Sequence, residues 1–317
     1  MGFGIWDVTE STVLASGLSW IDLNFLGQPH VIATGVIDGG GTLALVDPGP
    51  STCLDTLELG LQAPGRRLSD VTLILLTHIH LDHAGATGTI LRRYPHIRVY
   101  VHERGAPHMV DPSKLVASAS RLYGDRMELL WGEIAPVPEA SVSLLAGGER
   151  VEAGGRTFEV AYTPGHASHH VSYFDRESGV AFVGDTAGVC IDRGYVLPPT
   201  PPPDIDIDAW QGSVARIEAW APRTLFLTHF GPAGPPVPHL RTLMANLDTM
   251  AARARQRLAE PGSDDEKAQR FAGDLTREWR REMTERQVAS YVAAAPPDQL
   301  WLGLARYWIK KGSGRRG

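Results

Sequence analysis

The sequence predicts an α/β fold, on three observations. The apolar run at residues 71–76 is typical of a buried strand, and polar residues follow it immediately. Residues 224–229 repeat the order of strand, Thr and His, so that L-I-L-L-T-H-I-H and T-L-F-L-T-H-F-G correspond in the two halves of the chain. Helical patterns lie between the strands and dominate beyond residue 238. Two βαβ-like halves that bring side chains to a shared edge would give this arrangement.

Length and composition narrow the class of protein. With 317 residues the chain can form one large domain with an appendage, and 43% hydrophobic and 21% charged residues are typical of globular proteins. A net charge of −6 gives no overall attraction to nucleic acid, and no apolar run reaches the roughly 18 residues of a membrane span. We therefore expect a small-molecule substrate and neither a nucleic-acid nor a membrane partner; a homodimer stays open.

Cysteine content and the start of the chain indicate the compartment. The sequence contains only Cys53 and Cys190, which argues against a disulfide framework and fits a reducing environment. The opening M-G-F-G-I-W-D lacks the basic region and apolar core of a secretory signal. A cytoplasmic location is the expectation.

The first half of the chain alternates strand and helix patterns. Strands are predicted within residues 11–46, with a turn at D-G-G-G, and at 71–76 and 97–103; helices are predicted at 51–64, 86–94 and 105–134. His102 ends a strand alone, which is more typical of a structural histidine than of a ligand. In the helical insert, Met109, Met127 and Trp131 either line a substrate entrance or belong to the core.

The second half begins with short strands and ends in helices. Strands are predicted from residue 141 to His166 and at 180–188; helices are predicted after residue 204 and at 239–260, 264–283 and 285–308, with breaks at P-G-S-D-D and A-P-P-D-Q. The Pro-rich segment 197–204 predicts a stiff loop near the site.

The end of the chain carries an apolar stripe and a basic tail. The stripe is expected to pack on the main domain or on a partner subunit, and consists of Trp301, Leu302, Leu304, Tyr307 and Trp308. The tail K-K-G-S-G-R-R-G is expected to have no fixed structure.

A cluster of potential metal ligands follows the strand at 71–76. It contains His78, His80, Asp82 and His83. Side chains two apart on an extended chain point the same way, so His78 and His80 can converge on one cation. Asp82 and His83 would then suit a second cation, and imidazole with carboxylate is a donor set that suits zinc. The alternative is a solvated polar loop.

The segment T-H-I-H-L-D-H-A-G resembles the H-x-H-x-D-H signature of the metallo-β-lactamase fold superfamily, and T-P-G-H-A-S-H-H resembles its third motif. The resemblance implies a four-layer αββα sandwich over residues 1–236 with a helical region at 237–317. It also implies two metal ions, zinc with iron or manganese as alternatives. One ion would be bound by His78, His80 and His166, the other by Asp82, His83 and His229, with Asp185 bridging them.

The resemblance also implies supporting residues. Asp47 ends a strand in L-V-D-P-G-P, where a turn-forming Asp is the alternative, and matches an acid that orients the metal loop. His170 matches a further histidine of glyoxalase II-like members and is expected to support the site rather than bind metal. His169 has no counterpart.

The resemblance is strongest to the glyoxalase II-like branch. It implies a hydrolase that cleaves an ester, thioester or lactone with a hydroxide activated by two zinc ions, while Asp82 accepts and returns a proton. Three alternatives stay open: a lactonase acting on acyl-homoserine lactones, a persulfide dioxygenase with one iron on His78, His166 and Asp185, and a metal-binding protein without catalysis. A nuclease would need a basic groove or an inserted nucleic-acid domain, which the sequence lacks.

Overall fold

The computed structural model describes residues 12–313. The chain forms two compact units, of which the first ends at Val160 and the second begins at Ala161. The start of the chain, on which the expectation about a secretory signal was based, lies outside the described residues, as do residues 314–317.

The first unit contains a seven-stranded sheet, a hairpin and six helices. Its strands are β1 (Thr12–Ala15), β2 (Leu18–Asp22), β3 (Ala33–Asp38), β4 (Leu43–Val46), β5 (Val71–Leu75), β6 (Arg98–His102), β7 (Val142–Leu145), β8 (Arg150–Ala153) and the greater part of β9 (Arg156–Tyr162), whose last two residues lie beyond the division. Its helices are α1 (Leu54–Gln62), α2 (Leu81–Ala84), α3 (Thr87–Arg93), α4 (Ala106–Val110), α5 (Ser113–Tyr123) and α6 (Met127–Trp131).

Strands β1 to β7 lie in sequence order across the sheet of the first unit. The pairs from β1 to β4 are antiparallel, and those from β4 to β7 are parallel. Val46 pairs with Leu75, so the carboxyl ends of β4 and β5 reach the same edge. This register places Asp47 beside the start of the histidine-rich loop.

The second unit contains four further strands and five helices. They are β10 (Val171–Asp175), β11 (Val180–Phe182), β12 (Thr224–Leu227), β13 (Gly231–Ala233), α7 (Ile207–Ala219), α8 (Pro236–Ala259), α9 (Asp264–Glu282), α10 (Glu285–Ala294) and α11 (Pro297–Ser313). The strand order is β13-β12-β11-β10. Strands β11 and β12 are parallel, with Phe182 opposite Phe226, so the segments after both strands also meet at one edge.

Helices α7 to α11 share one apolar core with β11 and β12. Phe271 of α9 packs against Trp301 of α11 with ring centroids 5.6 Å apart. Ser263 and Thr284 cap α9 and α10 in reciprocal pairs with Glu266 and Gln287, which explains where these helices start. The predicted domain boundary after residue 236 does not coincide with the division after Val160 and stays a prediction.

The apolar stripe packs within this chain, against the core of the second unit. Trp301, Leu304 and Tyr307 are buried there, whereas Leu302 is 43% exposed and lies outside the stripe. The expectation that the basic tail has no fixed structure is wrong for residues 310–313, which continue α11. Lys311 holds this last turn by donating to Asp208 at 2.8 Å.

Two helical predictions need a correction in detail. The predicted helix at 105–134 is three short helices, because Pro112, Gly124 and Gly132 interrupt it. The helix predicted from residue 239 begins at Pro236, since proline is well tolerated in the first turn. Within residues 12–313, no helix combines the length and apolar character that a bilayer crossing requires.

Candidate metal centre

In the first unit, the loop from β5 to α2 brings the predicted ligands together. The Nε2 atom of His78 lies 3.0 Å from the Nδ1 atom of His80. The Nε2 atom of His83 lies 3.8 Å from a carboxylate oxygen of Asp82, and the ring centroids of His78 and His83 are 4.0 Å apart. His78 and His83 are buried, whereas His80 and Asp82 are partly exposed. One short loop thus presents four donor groups with an accessible side.

The turn D-P-G after β4 fixes the backbone of this loop. Gly49 donates to the carbonyl of His83 at 3.0 Å and accepts from Ala86 at 2.8 Å. Its φ of +80° favours glycine, and a Cβ there would lie 2.2 Å from Leu23. The strand-end turn and the ligand loop are therefore one hydrogen-bonded unit.

Asp47 supports the loop through hydrogen bonds. Its buried carboxylate accepts from the Thr77 amide at 2.8 Å, from the Thr77 hydroxyl at 2.6 Å and from His83 Nδ1 at 2.8 Å. Because the one hydroxyl proton of Thr77 goes to Asp47, the Thr77 oxygen accepts from His78 Nδ1, 3.1 Å away. Both histidines thus carry the proton on Nδ1 and present the Nε2 lone pair, which is the form that binds a metal.

In the second unit, three loops bring His166, Asp185 and His229 together. The Nε2 atom of His166 lies 3.3 Å from Oδ2 of Asp185, and the Nε2 atom of His229 lies 3.7 Å from Oδ1 of the same carboxylate. All three residues are buried. One oxygen of Asp185 faces each histidine, which is the arrangement that a bridging carboxylate requires.

The loops of His166 and Asp185 are held by different groups. The Pro199 carbonyl accepts from His166 Nδ1 at 2.9 Å, so Nε2 of His166 is again the lone-pair nitrogen. The turn that contains Asp185 is held by Trp210 Nε1, which donates to the Thr186 carbonyl at 2.7 Å, and by His239 Nε2, which donates to the Ala187 carbonyl at 2.8 Å.

His170 lies beside the Asp185 turn and is buried. Its Nδ1 atom is 3.0 Å from the Thr163 hydroxyl and 3.1 Å from the Thr186 hydroxyl. Its ring centroid is 6.3 Å from that of His166. These contacts suit a supporting residue, although its role stays a prediction. His169 is also buried.

The remaining candidate site residues make contacts that are typical of structural residues. His102 is buried, which lowers its pKa, and its Nδ1 accepts from the Arg104 amide at 3.2 Å. Met109 and Trp131 are buried, and the ring of Trp131 stacks on that of Phe25 with centroids 5.8 Å apart. Met109 and Trp131 therefore belong to the core of the first unit. Met127 is partly buried.

Cysteine chemistry is not available as an alternative to metal chemistry. Burial raises the pKa of Cys53 to about 12 and that of Cys190 to about 11. Near neutral pH both are protonated thiols, so neither is an activated nucleophile.

The donor atoms of both units fit zinc. Zinc binds nitrogen or oxygen at about 2.0–2.1 Å in tetrahedral geometry, which places neighbouring ligand atoms roughly 3.3 Å apart. The four donor pairs lie at 3.0, 3.8, 3.3 and 3.7 Å. In three of the histidines the other ring nitrogen is already bonded, to Thr77, Asp47 and Pro199. This pattern is common to metal-binding histidines.

The sequence did not identify several supporting groups. Thr77, the Pro199 carbonyl and Trp210 each fix a predicted ligand or its turn. The sequence does contain a pattern that could have indicated Thr77, because Thr77 precedes His78 just as Thr228 precedes His229. The Pro199 contact spans 33 positions and has no signature in either segment, apart from the expectation of a rigid loop near the site.

Histidine and carboxylate donors follow the parallel strands β5, β11 and β12, which is the pattern of an α/β protein that can hold metal ions. A model described as the Metallo-beta-lactamase superfamily matches residues 27–229, which is more than half of the chain. The chain therefore belongs to the metallo-beta-lactamase superfamily, and the predicted family and hydrolase class are confirmed at this level.

Relatives extend the comparison. The chain is 28% identical over 234 residues to a metallo-beta-lactamase fold-containing protein of Sulfurisphaera tokodaii, covering 72% of this chain and 85% of that one. It is 34% identical over 153 residues to a hydroxyacylglutathione hydrolase of Synechococcus, covering 47% of this chain and 46% of that one. The resemblance to the glyoxalase II-like branch is thereby supported, although the chain spans less than half of that hydrolase.

A solved structure supports the fold. A metallo-beta-lactamase family protein from Thermus thermophilus matches 95% of each chain with a TM-score of 0.71 and 22% identity. The predicted αββα sandwich with C-terminal helices is therefore confirmed as the fold class.

Proposed function

We propose that the chain is a dinuclear zinc hydrolase that cleaves a thioester of the acylglutathione kind, with esters and lactones as further candidates. The main support is the donor geometry: in each unit the ligand atoms lie 3.0 to 3.8 Å apart. The choice of a thioester is supported by the name of the Synechococcus relative, a hydroxyacylglutathione hydrolase.

The seven ligands divide between two ions. We assign His78, His80 and His166 to the first, Asp82, His83 and His229 to the second, and Asp185 to both. When bound, two zinc ions would supply hydroxide from water near neutral pH and polarise the substrate carbonyl. Asp47 and Pro199 keep three of the histidines in the tautomer that this requires.

Asp82 is the residue that we assign to proton transfer. Its side chain is 19% exposed, whereas its neighbour His83 is fully buried. A carboxylate at the accessible side of the loop can accept a proton from the attacking water and return it to the leaving thiolate or alkoxide.

The experiment is turnover of a thioester, an ester, a lactone and a phosphodiester by protein of measured metal content. We expect zinc-loaded protein to cleave the thioester fastest. His80→Ala should lose one ion and at least about 10³-fold in kcat/KM, because an incomplete site cannot activate water. The matched control is His96→Ala, which changes an exposed histidine outside both clusters.

Three results would contradict the proposal. The first is an unchanged rate for His80→Ala. The second is bound iron with oxygen uptake on a persulfide, which would indicate the dioxygenase. The third is two bound zinc ions without turnover of any of the four substrates.

A further inference from the structure

The Nδ1 atom of His166 is hydrogen-bonded to a backbone carbonyl. This carbonyl belongs to Pro199, which lies in the segment L-P-P-T-P-P-P-D. Five of the eight residues in this segment are prolines without an amide proton, so the segment cannot form a regular ladder of its own. Its position must come from side chains and from neighbouring elements.

Helix α11 provides that support through Thr200. Thr200 is fully buried, and its hydroxyl donates to the carbonyl of Leu300 at 3.1 Å. Gly303 lies one turn further along the same face of α11, and a Cβ at this position would be 1.9 Å from the Thr200 carbonyl oxygen and 3.0 Å from the Pro201 carbonyl carbon. The helix backbone therefore lies directly against the loop backbone.

Helix α11 is itself firmly placed. Trp301 and Leu304, on either side of Gly303, are buried in the core of the second unit. Because this helix packs directly against the loop, the position of the Pro199 carbonyl is restricted. Any residue larger than glycine at position 303 would displace the loop.

We infer that Gly303 and Thr200 are positioning residues for His166: through Pro199 they determine the tautomer and orientation of its imidazole. The C-terminal helices, which contribute none of the seven proposed ligands, would thus act on the first ion. The effect on zinc rests on the proposed function, because it takes His166 to be a ligand; the effect on the tautomer does not.

Changes at Thr200 or Gly303 should affect the binding of the second proposed ion less than that of the first. In the second unit His229 is its ligand, and the His229 carbonyl accepts from the Cys190 amide at 2.6 Å, a contact that does not involve Thr200 or Gly303. A disturbance of the Thr200 contact should therefore weaken one ion selectively. A general loss of structure would weaken both.

The test is Gly303→Ala, compared with Gly312→Ala. Both are changes in α11, but a Cβ at position 312 meets nothing within 4 Å. Zinc affinity is measured by competition with a chelator, and the His166 tautomer is read in metal-free protein from its imidazole ¹⁵N shifts. We expect Gly303→Ala to lower the affinity for one ion by about 10–100-fold and to lose the pure Nδ1–H form. Gly312→Ala should match the wild type in both readouts.

A second pair covers the case in which Gly303→Ala does not fold. Thr200→Val removes the hydroxyl at nearly constant shape and should weaken one ion, whereas Thr200→Ser retains the hydroxyl and should restore wild-type affinity. Leu275→Ala removes buried apolar volume from α9 and should lower the melting temperature. Because it removes no hydrogen-bonding group of the loop, it should leave zinc affinity unchanged.

The outcomes separate the two proposals. Wild-type affinity and an intact Nδ1–H tautomer in both Gly303→Ala and Thr200→Val would overturn the positioning role. If His166→Ala instead bound as many ions as the wild type, the proposed metal assignment would fail, while the tautomer of metal-free protein would still decide the positioning role. Equal weakening of both ions by Gly303→Ala and Leu275→Ala would indicate a merely structural effect and would also overturn the inference.

Discussion

The two donor clusters are built in different ways. In the first unit, four donors lie within residues 78–83, and one buried carboxylate, Asp47, orients two of them: His83 directly and His78 through Thr77. In the second unit, three donors are spread over residues 166–229, and each depends on a different neighbour. A compact loop concentrates the support in one residue, whereas separate loops distribute it. Single substitutions should therefore have broad effects in the first unit and local effects in the second.

Asp47→Asn should produce the largest effect of the supporting residues. An asparagine is tolerated at the φ of +52° found here, so the backbone can be retained. The amide replaces an oxygen that accepts from Thr77 and His83, and both His78 and His83 lose their fixed tautomer. We expect the affinity for both ions to fall about 10–100-fold, measured by competition titration.

The control for this change is Asp55→Asn, an exposed acid in the first turn of α1. It should bind both ions like the wild type. A loss of only one ion in Asp47→Asn would show that the support in the first unit is divided, contrary to the comparison.

Trp210→Phe should produce an intermediate effect, confined to the second unit. The change leaves the Thr186 carbonyl without its donor and opens a small cavity at a fully buried site. We expect a loss of about 1–3 kcal/mol in the free energy of unfolding, measured with urea, and weaker metal binding through the Asp185 turn.

Trp220→Phe makes the same exchange at the end of α7, where the ring is partly exposed and stacks on Phe174 at 5.2 Å. It should leave metal binding unchanged. Equal effects of the two tryptophan substitutions on metal affinity would remove the special role of the Thr186 contact.

His239→Gln should produce the smallest effect, visible only as a pH dependence. Burial lowers the pKa of His239 below its ordinary value of 6.5, so the folded state holds its proton less well than the unfolded state. Its contribution to stability is therefore complete above pH 6.5 and is lost as the pH falls below that value. Glutamine can retain the donor to Ala187 without this titration.

The measurement is the melting temperature of metal-free wild type and His239→Gln at about pH 7.5 and about pH 5.5, on either side of the ordinary histidine pKa. We expect the wild type to lose more stability on acidification than the variant. Other histidines titrate in both proteins, so the informative quantity is the difference between the two losses. An equal loss in both would contradict the account of His239.

The sequence predicted the first cluster better than the second. The strand before His78 and the spacing of His80, Asp82 and His83 are local features of the sequence. The pattern of apolar residues and the types of the polar residues were therefore sufficient to predict this cluster. His166, Asp185 and His229 were found by resemblance, since nothing local joins residues so far apart. Pro199 and Gly303 could not be predicted, because their roles arise from packing between a loop and a helix about 100 positions away.

The same distinction applies to the elements. The helices after residue 238 were predicted because charged, helix-forming stretches with clear breaks are local signals. The last turn of α11 was missed, because the contact of Lys311 with Asp208 joins residues 103 positions apart. Long-range ion pairs leave no periodic trace in a sequence.

The most direct test of the central claim is an anomalous difference map at the zinc absorption edge, from crystals of zinc-loaded protein. The account predicts two peaks, one at His78, His80 and His166 and one at Asp82, His83 and His229, with Asp185 in contact with both. A single peak, peaks remote from these residues, or an iron signal in their place would contradict it.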